Sequence, residues 1–199
     1  MTFDRHAFWR NPDDSDEPEG IKMVCRPEWY LGLHSITTLI VSTLSRYLKK
    51  DSSIIELGAG TGRNLAGLRV AGYTRLAGIE INPDAINVGR SQFQALDGVA
   101  ITCDTVESAI KTMAHYDCIF TQGLLQHLSP DVDWVHEVIA EKADKLIVVI
   151  ENEEPVGIRS WARNYKDVFE GLGWCEVESS ANTGCYGHAP TTIVRVFEK

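Results

Sequence analysis

No apolar run in this chain approaches the roughly 18 residues that a membrane-crossing helix needs, so no membrane partner is expected. The opening Met-Thr-Phe-Asp-Arg-His has none of the basic-then-apolar pattern of a secretory leader, which leads us to expect a cytoplasmic protein. Cysteine is scarce: the five residues Cys25, Cys103, Cys118, Cys175 and Cys185 are odd in number and form no Cys-x-x-Cys pair. A disulfide framework and a thiolate zinc site are both disfavoured, and a reducing compartment fits. Cys103 and Cys118 fall in apolar strands and are expected to be small core residues. The six histidines lack the His-x-x-x-His spacing that puts two ligands on one helical face, so no metal is expected. Positive charge is also short, with 19 Lys and Arg against 28 Asp and Glu and a net charge of −9. Nucleic-acid affinity comes largely from cations meeting phosphates, so nucleic acid is excluded as the expected partner.

What the chain does have is enough apolar content, 44% over 199 residues, to bury one substantial core. Residues 53–64 read Ser-Ile-Ile-Glu-Leu-Gly-Ala-Gly-Thr-Gly-Arg-Asn, a short apolar strand running into a glycine-rich turn. Gly58, Gly60 and Gly62 let the backbone turn sharply and let a ligand approach main-chain N–H groups at a helix start. Glu80 ends the next apolar strand, 22 residues past Gly58, where a carboxylate can accept both hydroxyls of a ribose. A dinucleotide fingerprint requires Gly-x-Gly-x-x-Gly, and its third glycine position is Arg63 here.

The alternation continues along the chain. Strands are predicted at about 53–57, 75–81, 99–103, 116–121 and 145–151, with helices at about 62–71, 83–95, 105–114, 130–143 and 159–171. Asn82 or Pro83 opens the second of these helices. Residues 174–180 and 191–197 read as a terminal antiparallel hairpin around the loop Thr183–Gly187. An amphipathic helix is predicted over 28–49, with Leu33, Ile36, Ile40, Leu44 and Leu48 at helical spacing. Residues 1–27 are polar and interrupted by Pro12 and Pro18, reading as an irregular arm or lid ahead of a single domain over 28–199. Phe8, Trp9, Trp29 and Tyr30 are costly to leave in water, so the arm is expected to cover something.

The sequence Glu56-Leu57-Gly58-Ala59-Gly60-Thr61-Gly62 resembles motif I of the class I S-adenosylmethionine-dependent methyltransferases. The resemblance implies an α/β, Rossmann-like seven-stranded sheet of order 3-2-1-4-5-7-6, strand 7 antiparallel, with helices on both faces. It implies S-adenosylmethionine as cofactor, bound over the carboxyl ends of strands one to four. The binding set carried over is Glu56, Gly58, Ala59, Gly60 and Asn64 at the turn, Glu80 and Ile81 after strand two, Asp104 and Thr105 after strand three, and Gln122 and Gly123 after strand four. Asp104 stands where the family contacts the adenine amino group, and it or Thr105 also reads as the cap of the following helix.

Candidates for the chemistry follow strands four and five. His127 can serve as a general base or can be a core histidine bonded to backbone. Glu151 and Asn152 can orient a polar acceptor or cap a strand end, and Arg159, Arg163 and Tyr165 can hold an anionic or sugar-like substrate or lie on the surface. Residues 120–130, Glu151-Asn152 and 163–169 loosely resemble the methylases associated with pseudaminic acid biosynthesis, which implies a polar small-molecule acceptor. Thr121-Gln122-Gly123-Leu124 stands where methyltransferases of DNA bases or glutamine side chains carry an Asn/Asp-Pro-Pro-Tyr-like element. The expectation is O- or N-methylation of a small metabolite by a monomer or homodimer. Two alternatives stay open: a non-catalytic S-adenosylmethionine-binding module, and a nicotinamide-dependent oxidoreductase, which Arg63 disfavours.

Overall fold

The computed structural model describes residues 4–32, 34–154, 160–181 and 192–199. In chain order the helices are α1 (Arg5–Arg10), α2 (Glu19–Cys25), α3 (Pro27–Tyr30), α4 (His34–Tyr47), α5 (Arg63–Val70), α6 (Pro83–Gln92), α7 (Val106–Ala109), α8 (Trp134–Lys142) and α9 (Tyr165–Gly171). The strands are β1 (Ser53–Leu57), β2 (Arg75–Glu80), β3 (Ala100–Cys103), β4 (Tyr116–Gln122), β5 (Ala143–Asn152), β6 (Cys175–Ala181) and β7 (Thr192–Glu198). They form one seven-stranded sheet of order β3-β2-β1-β4-β5-β7-β6. The five strands β1 to β5 pair in parallel, and β7 runs antiparallel to both β5 and β6. This is the architecture and strand order that the resemblance implied.

The core divides into two layers, as a sheet covered on both faces requires. On one face, Ile36, Ile40 and Leu44 of α4 and Leu65 and Leu68 of α5 pack with Ile54, Cys118, Phe120 and Val148. On the other, Val135 and Ile139 of α8 and Phe169 of α9 pack with Ile55, Ile119, Ile147 and Phe197. The alternation of Ile54 with Ile55, and of Cys118 with Ile119, follows the two-residue period of a strand.

Local chemistry sets several boundaries. Asn82 caps α6, its side-chain oxygen accepting from the N–H groups of Asp84 and Ala85. Thr105 rather than Asp104 caps α7, accepting from Ser108 N. Asn164 caps α9 by accepting from Lys166 and Asp167 N, so α9 starts at Tyr165 and not near 159, and residues 160–164 are not helical. Arg159 and the Thr183–Gly187 loop lie outside the described residues. The helix expected over 105–114 is a single turn, and the one expected over 28–49 is broken into α3 and α4.

Two expectations are corrected. Residues 4–27 are not irregular: Asp4 caps α1, Asn11 caps a 3-10 turn at Pro12–Asp14, and α2 follows, so short polar side chains close successive local turns. Cys103 is exposed, unlike the fully buried Cys118, because β3 is the sheet's edge strand whereas β4 is central.

Candidate cofactor and acceptor site

The carboxyl ends of β1, β2 and β4 open onto a cavity of about 280 Å³. Such crevices arise where parallel strands end and helices begin. The turn after β1 needs glycine at three places: Gly58, Gly60 and Gly62 have φ of 71°, 54° and 71°, the left-handed region that side chains disfavour. The place of the missing third glycine of a dinucleotide fingerprint is filled by the buried Arg63. Close packing of the turn is supplied instead by Gly89 in α6, where a Cβ would fall 1.8 Å from the carbonyl oxygen of Thr61.

Glu80 reaches back to this turn. Its carboxylate accepts from Gly60 N at 2.7 Å and from Asn82 N at 2.8 Å, and it lines the cavity. Burial raises its pKa, opposed by those backbone N–H groups. Glu56, 1% exposed, forms the inner wall. Burial pushes its carboxyl up to about 8, against a 2.7 Å bond from Asn64 Nδ2 and the nearby charge of Arg63. Its Oε2 and the Thr61 hydroxyl are buried with no hydrogen-bond partner. An orphaned carboxylate oxygen inside a cavity is a place for a cation or donor of a ligand.

Arg63 joins four elements. Its guanidinium donates to Tyr30 O at 2.5 Å, Thr37 Oγ1 at 3.0 Å and Gln122 Oε1 at 3.0 Å, and Gln122 also accepts from Asn64 Nδ2 at 3.0 Å. Burial lowers the Arg63 pKa, while Glu56 favours its charge. Sequence reasoning used Arg63 only to disfavour a dinucleotide; its joining role was hidden because all three partners are distant in the chain.

The N-terminal arm, taken with α3 and the residues to Gly32 that continue it, supplies the outer wall through Arg5, His6, Trp9, Cys25, Pro27 and Tyr30. Phe8 is buried, and the Trp9 ring lies 4.7 Å from that of His127 at 51°. Arg5 Nη2 meets Glu107 at 2.9 Å, His6 Nε2 meets the same carboxylate at 3.0 Å, and Arg5 Nη1 also bonds Ser129. The Glu107 carboxyl is lowered overall because the bonds from His6 and Arg5 outweigh burial. These arm residues escaped sequence reading, although the cost of exposing Phe8 and Trp9 pointed to a covering role.

Of the expected cofactor set, Glu56, Gly58, Ala59, Gly60, Asn64, Glu80, Ile81, Asp104, Thr105, Gln122 and Gly123 all line this one cavity, as does His127. Glu151 lies beneath the loop after β4: it is buried and accepts from Leu124 N at 2.9 Å and Gln126 N at 3.3 Å. Burial pushes its carboxyl up to about 7 in spite of those bonds. Asn152 accepts from Thr192 Oγ1 at 2.9 Å. Arg163 spends its guanidinium on Leu125 O, Leu128 O and Asp133, and Tyr165 is fully buried in the core. Glu151, Asn152, Arg163 and Tyr165 do not line the cavity; they support the loop that does.

The residues therefore fit the cofactor that the sequence implied. The orphaned Glu56 oxygen suits an ammonium, the αL glycines expose backbone N–H groups, and Glu80 suits a ribose. Among the described residues no cluster of side chains could hold a metal ion, and no helix is long and apolar enough to cross a membrane.

Comparison with known proteins agrees. The methyltransferase domain family matches residues 54–143. A ribosomal protein L11 methyltransferase of Aquifex aeolicus is 32% identical over 105 residues, covering 50% of this chain and 42% of its own. One of Methylobacillus flagellatus is 30% identical over 86 residues, 41% of this chain and 29% of its own. The chain thus spans less than half the length of these two curated relatives. Magnesium protoporphyrin IX methyltransferase of Synechocystis PCC 6803, crystallised with bound SAH, superposes with a TM-score of 0.67 at 11% identity, covering 97% of this chain and 96% of that one. A SAM-dependent methyltransferase structure of Archaeoglobus fulgidus gives 0.61 at 15%, over 82% and 94%. Residues 54–143 thus match the methyltransferase domain family, and the strand order, glycine turn and acidic β2 end are those that the class I, S-adenosylmethionine-dependent resemblance implied.

Proposed function

We propose that the protein transfers a methyl group from S-adenosylmethionine to an oxygen or nitrogen of a polar small molecule. One observation carries this reading: the glycine turn, Glu80 and the loop after β4 line a single cavity whose outer wall is the N-terminal arm. When bound, the cofactor supplies an electrophilic methyl on a sulfonium, open to in-line displacement. Glu56 would pair with its ammonium, the turn's N–H groups with its carboxylate, Glu80 with its ribose hydroxyls and Asp104 with its adenine. Holding the acceptor in line is the larger task, and positioning alone can supply about 7–11 kcal/mol of a barrier. The loop from Gln122 to Leu128 is the part of the chain suited to that, pinned from below by Glu151 and Arg163. The arm over 4–32 acts as a cover that keeps water from the reacting groups. Arg5, His6 and Glu107 make the arm side of the cavity polar, which suits a polar acceptor rather than a wholly apolar one.

The curated relatives are named for a ribosomal protein, which favours a protein acceptor as the second reading. Incubating the chain with labelled methyl donor, a metabolite extract and a ribosomal protein fraction separates the readings. Label in a small product supports the proposal, and label confined to protein supports the second reading. No transfer despite tight cofactor binding points to a regulatory module.

A further inference from the structure

The end of β5 is wired to His127 through one side chain. The backbone N–H of Asn152 donates to Gln126 Oε1 at 2.6 Å, and Gln126 Nε2 lies 3.0 Å from His127 Nε2. A main-chain N–H can only donate, so the amide end facing it must be the oxygen. The other end is then the NH2 group, which also can only donate. His127 Nε2 must accept from it, so this nitrogen carries no proton and the neutral ring carries its proton on Nδ1. Protonating Nε2 would set N–H against N–H.

Little freedom remains to undo this arrangement. Gln126 is buried, its N–H bonds Glu151 at 3.3 Å, and its carbonyl accepts from Trp161 N at 2.9 Å. Leu124 N is held by the same Glu151, Arg163 grips the carbonyls of Leu125 and Leu128, and the Trp9 ring packs against the imidazole at a tilt of 51°. We propose that Gln126 is a positioning residue that locks His127 in its Nδ1–H tautomer. The imidazole then brings an N–H donor at Nδ1, and its basic lone pair is already engaged by the amide. The proton of the acceptor leaves by a route other than His127 Nε2. The catalytic meaning rests on the methyltransferase reading above, whereas the tautomer does not.

The test is a two-bond 1H–15N correlation spectrum of protein labelled at histidine nitrogens, near neutral pH, with the His127 signals identified by their loss in His127→Asn. The expected pattern has a protonated Nδ1 and an unprotonated Nε2; a protonated Nε2 overturns the proposal without any variant. Gln126→Glu keeps an oxygen for Asn152 N–H and replaces the amide donor by an acceptor. In that variant the proton should move to Nε2, and kcat should be lost while cofactor affinity is kept. An unchanged nitrogen pattern in a folded Gln126→Glu protein overturns the assignment, and an unchanged kcat after the proton has moved removes its catalytic part. Absence of any methyl transfer by the unmodified protein would strike the function and leave the spectrum as the judge of the tautomer.

Discussion

Arg63 Nη1 donates to the main-chain carbonyl oxygen of Tyr30 at 2.5 Å, tying the first residue of the helix after the glycine turn to the arm that walls the cavity. The same guanidinium reaches Thr37 and Gln122, so cofactor turn, α4, arm and the end of β4 meet at one buried cation. An arginine suits this place because its five donors form a rigid fork that serves several acceptors at once.

Arg63→Met is therefore expected to destabilise the fold and loosen the arm together. Each acceptor left buried without a donor costs about 1–3 kcal/mol. Chemical denaturation measures the first effect, and faster proteolytic cleavage within residues 4–32 measures the second. A variant as stable and as protease-resistant as the parent would refute the joining role.

Glu80→Ala removes the acceptor for Gly60 N and Asn82 N as well as the proposed ribose contact. S-adenosylmethionine affinity should fall by about 1.5–3 kcal/mol, the scale of a hydrogen bond to a charged group. Titration calorimetry reads it directly, and unchanged affinity would reject the ribose assignment.

Gly89→Ala places a methyl group 1.8 Å from the Thr61 carbonyl oxygen, a backbone atom that cannot step aside alone. Overpacking of this kind costs about 1–3 kcal/mol, and the shift propagates into the glycine turn. A lower melting temperature together with weaker cofactor binding is expected; a loss of stability with full affinity would show that α6 and not the turn moves.

The buried carboxyls give the ligand-free protein a characteristic pH response. The Glu56 carboxyl sits at about 8 and that of Glu151 at about 7, both above the ordinary value of 4.5, so the folded state holds more protons than the unfolded one between those limits. Stability from these groups is present at low pH and is lost as pH rises towards 8. Burial lowers the pKa of His136 from 6.5, which acts in the opposite sense below that value. The melting temperature should accordingly decline as pH rises above 4.5, most steeply between pH 6.5 and about 7, and level off near 8. Glu56→Gln should flatten this decline, and melting curves of the two proteins across that range check it.

Much of the site was legible because it is local. The run 53–57 and the glycines that follow announce a strand and a turn whose φ values only glycine tolerates well, and β1 has the bounds expected of it. Asn82 and Pro83 mark a helix start by their own side-chain chemistry. Arg163 shows the limit: its fork suggests an anion clamp, yet two carbonyls and Asp133 occupy it. The contact of Trp9 with His127 joins residues 118 positions apart, and no periodicity encodes such a meeting.

The order of residues determined this protein's strands, its αL turn and the carboxylate at the end of β2, because each depends on backbone sterics and neighbours a few positions away. Tertiary structure alone decided that Arg63 would bind the arm, that Gly89 would admit the Thr61 carbonyl, and that Asn152 would orient Gln126 against His127. Those relationships arise when segments far apart in the chain are packed at fixed distances, where one ångström decides which polar groups can meet.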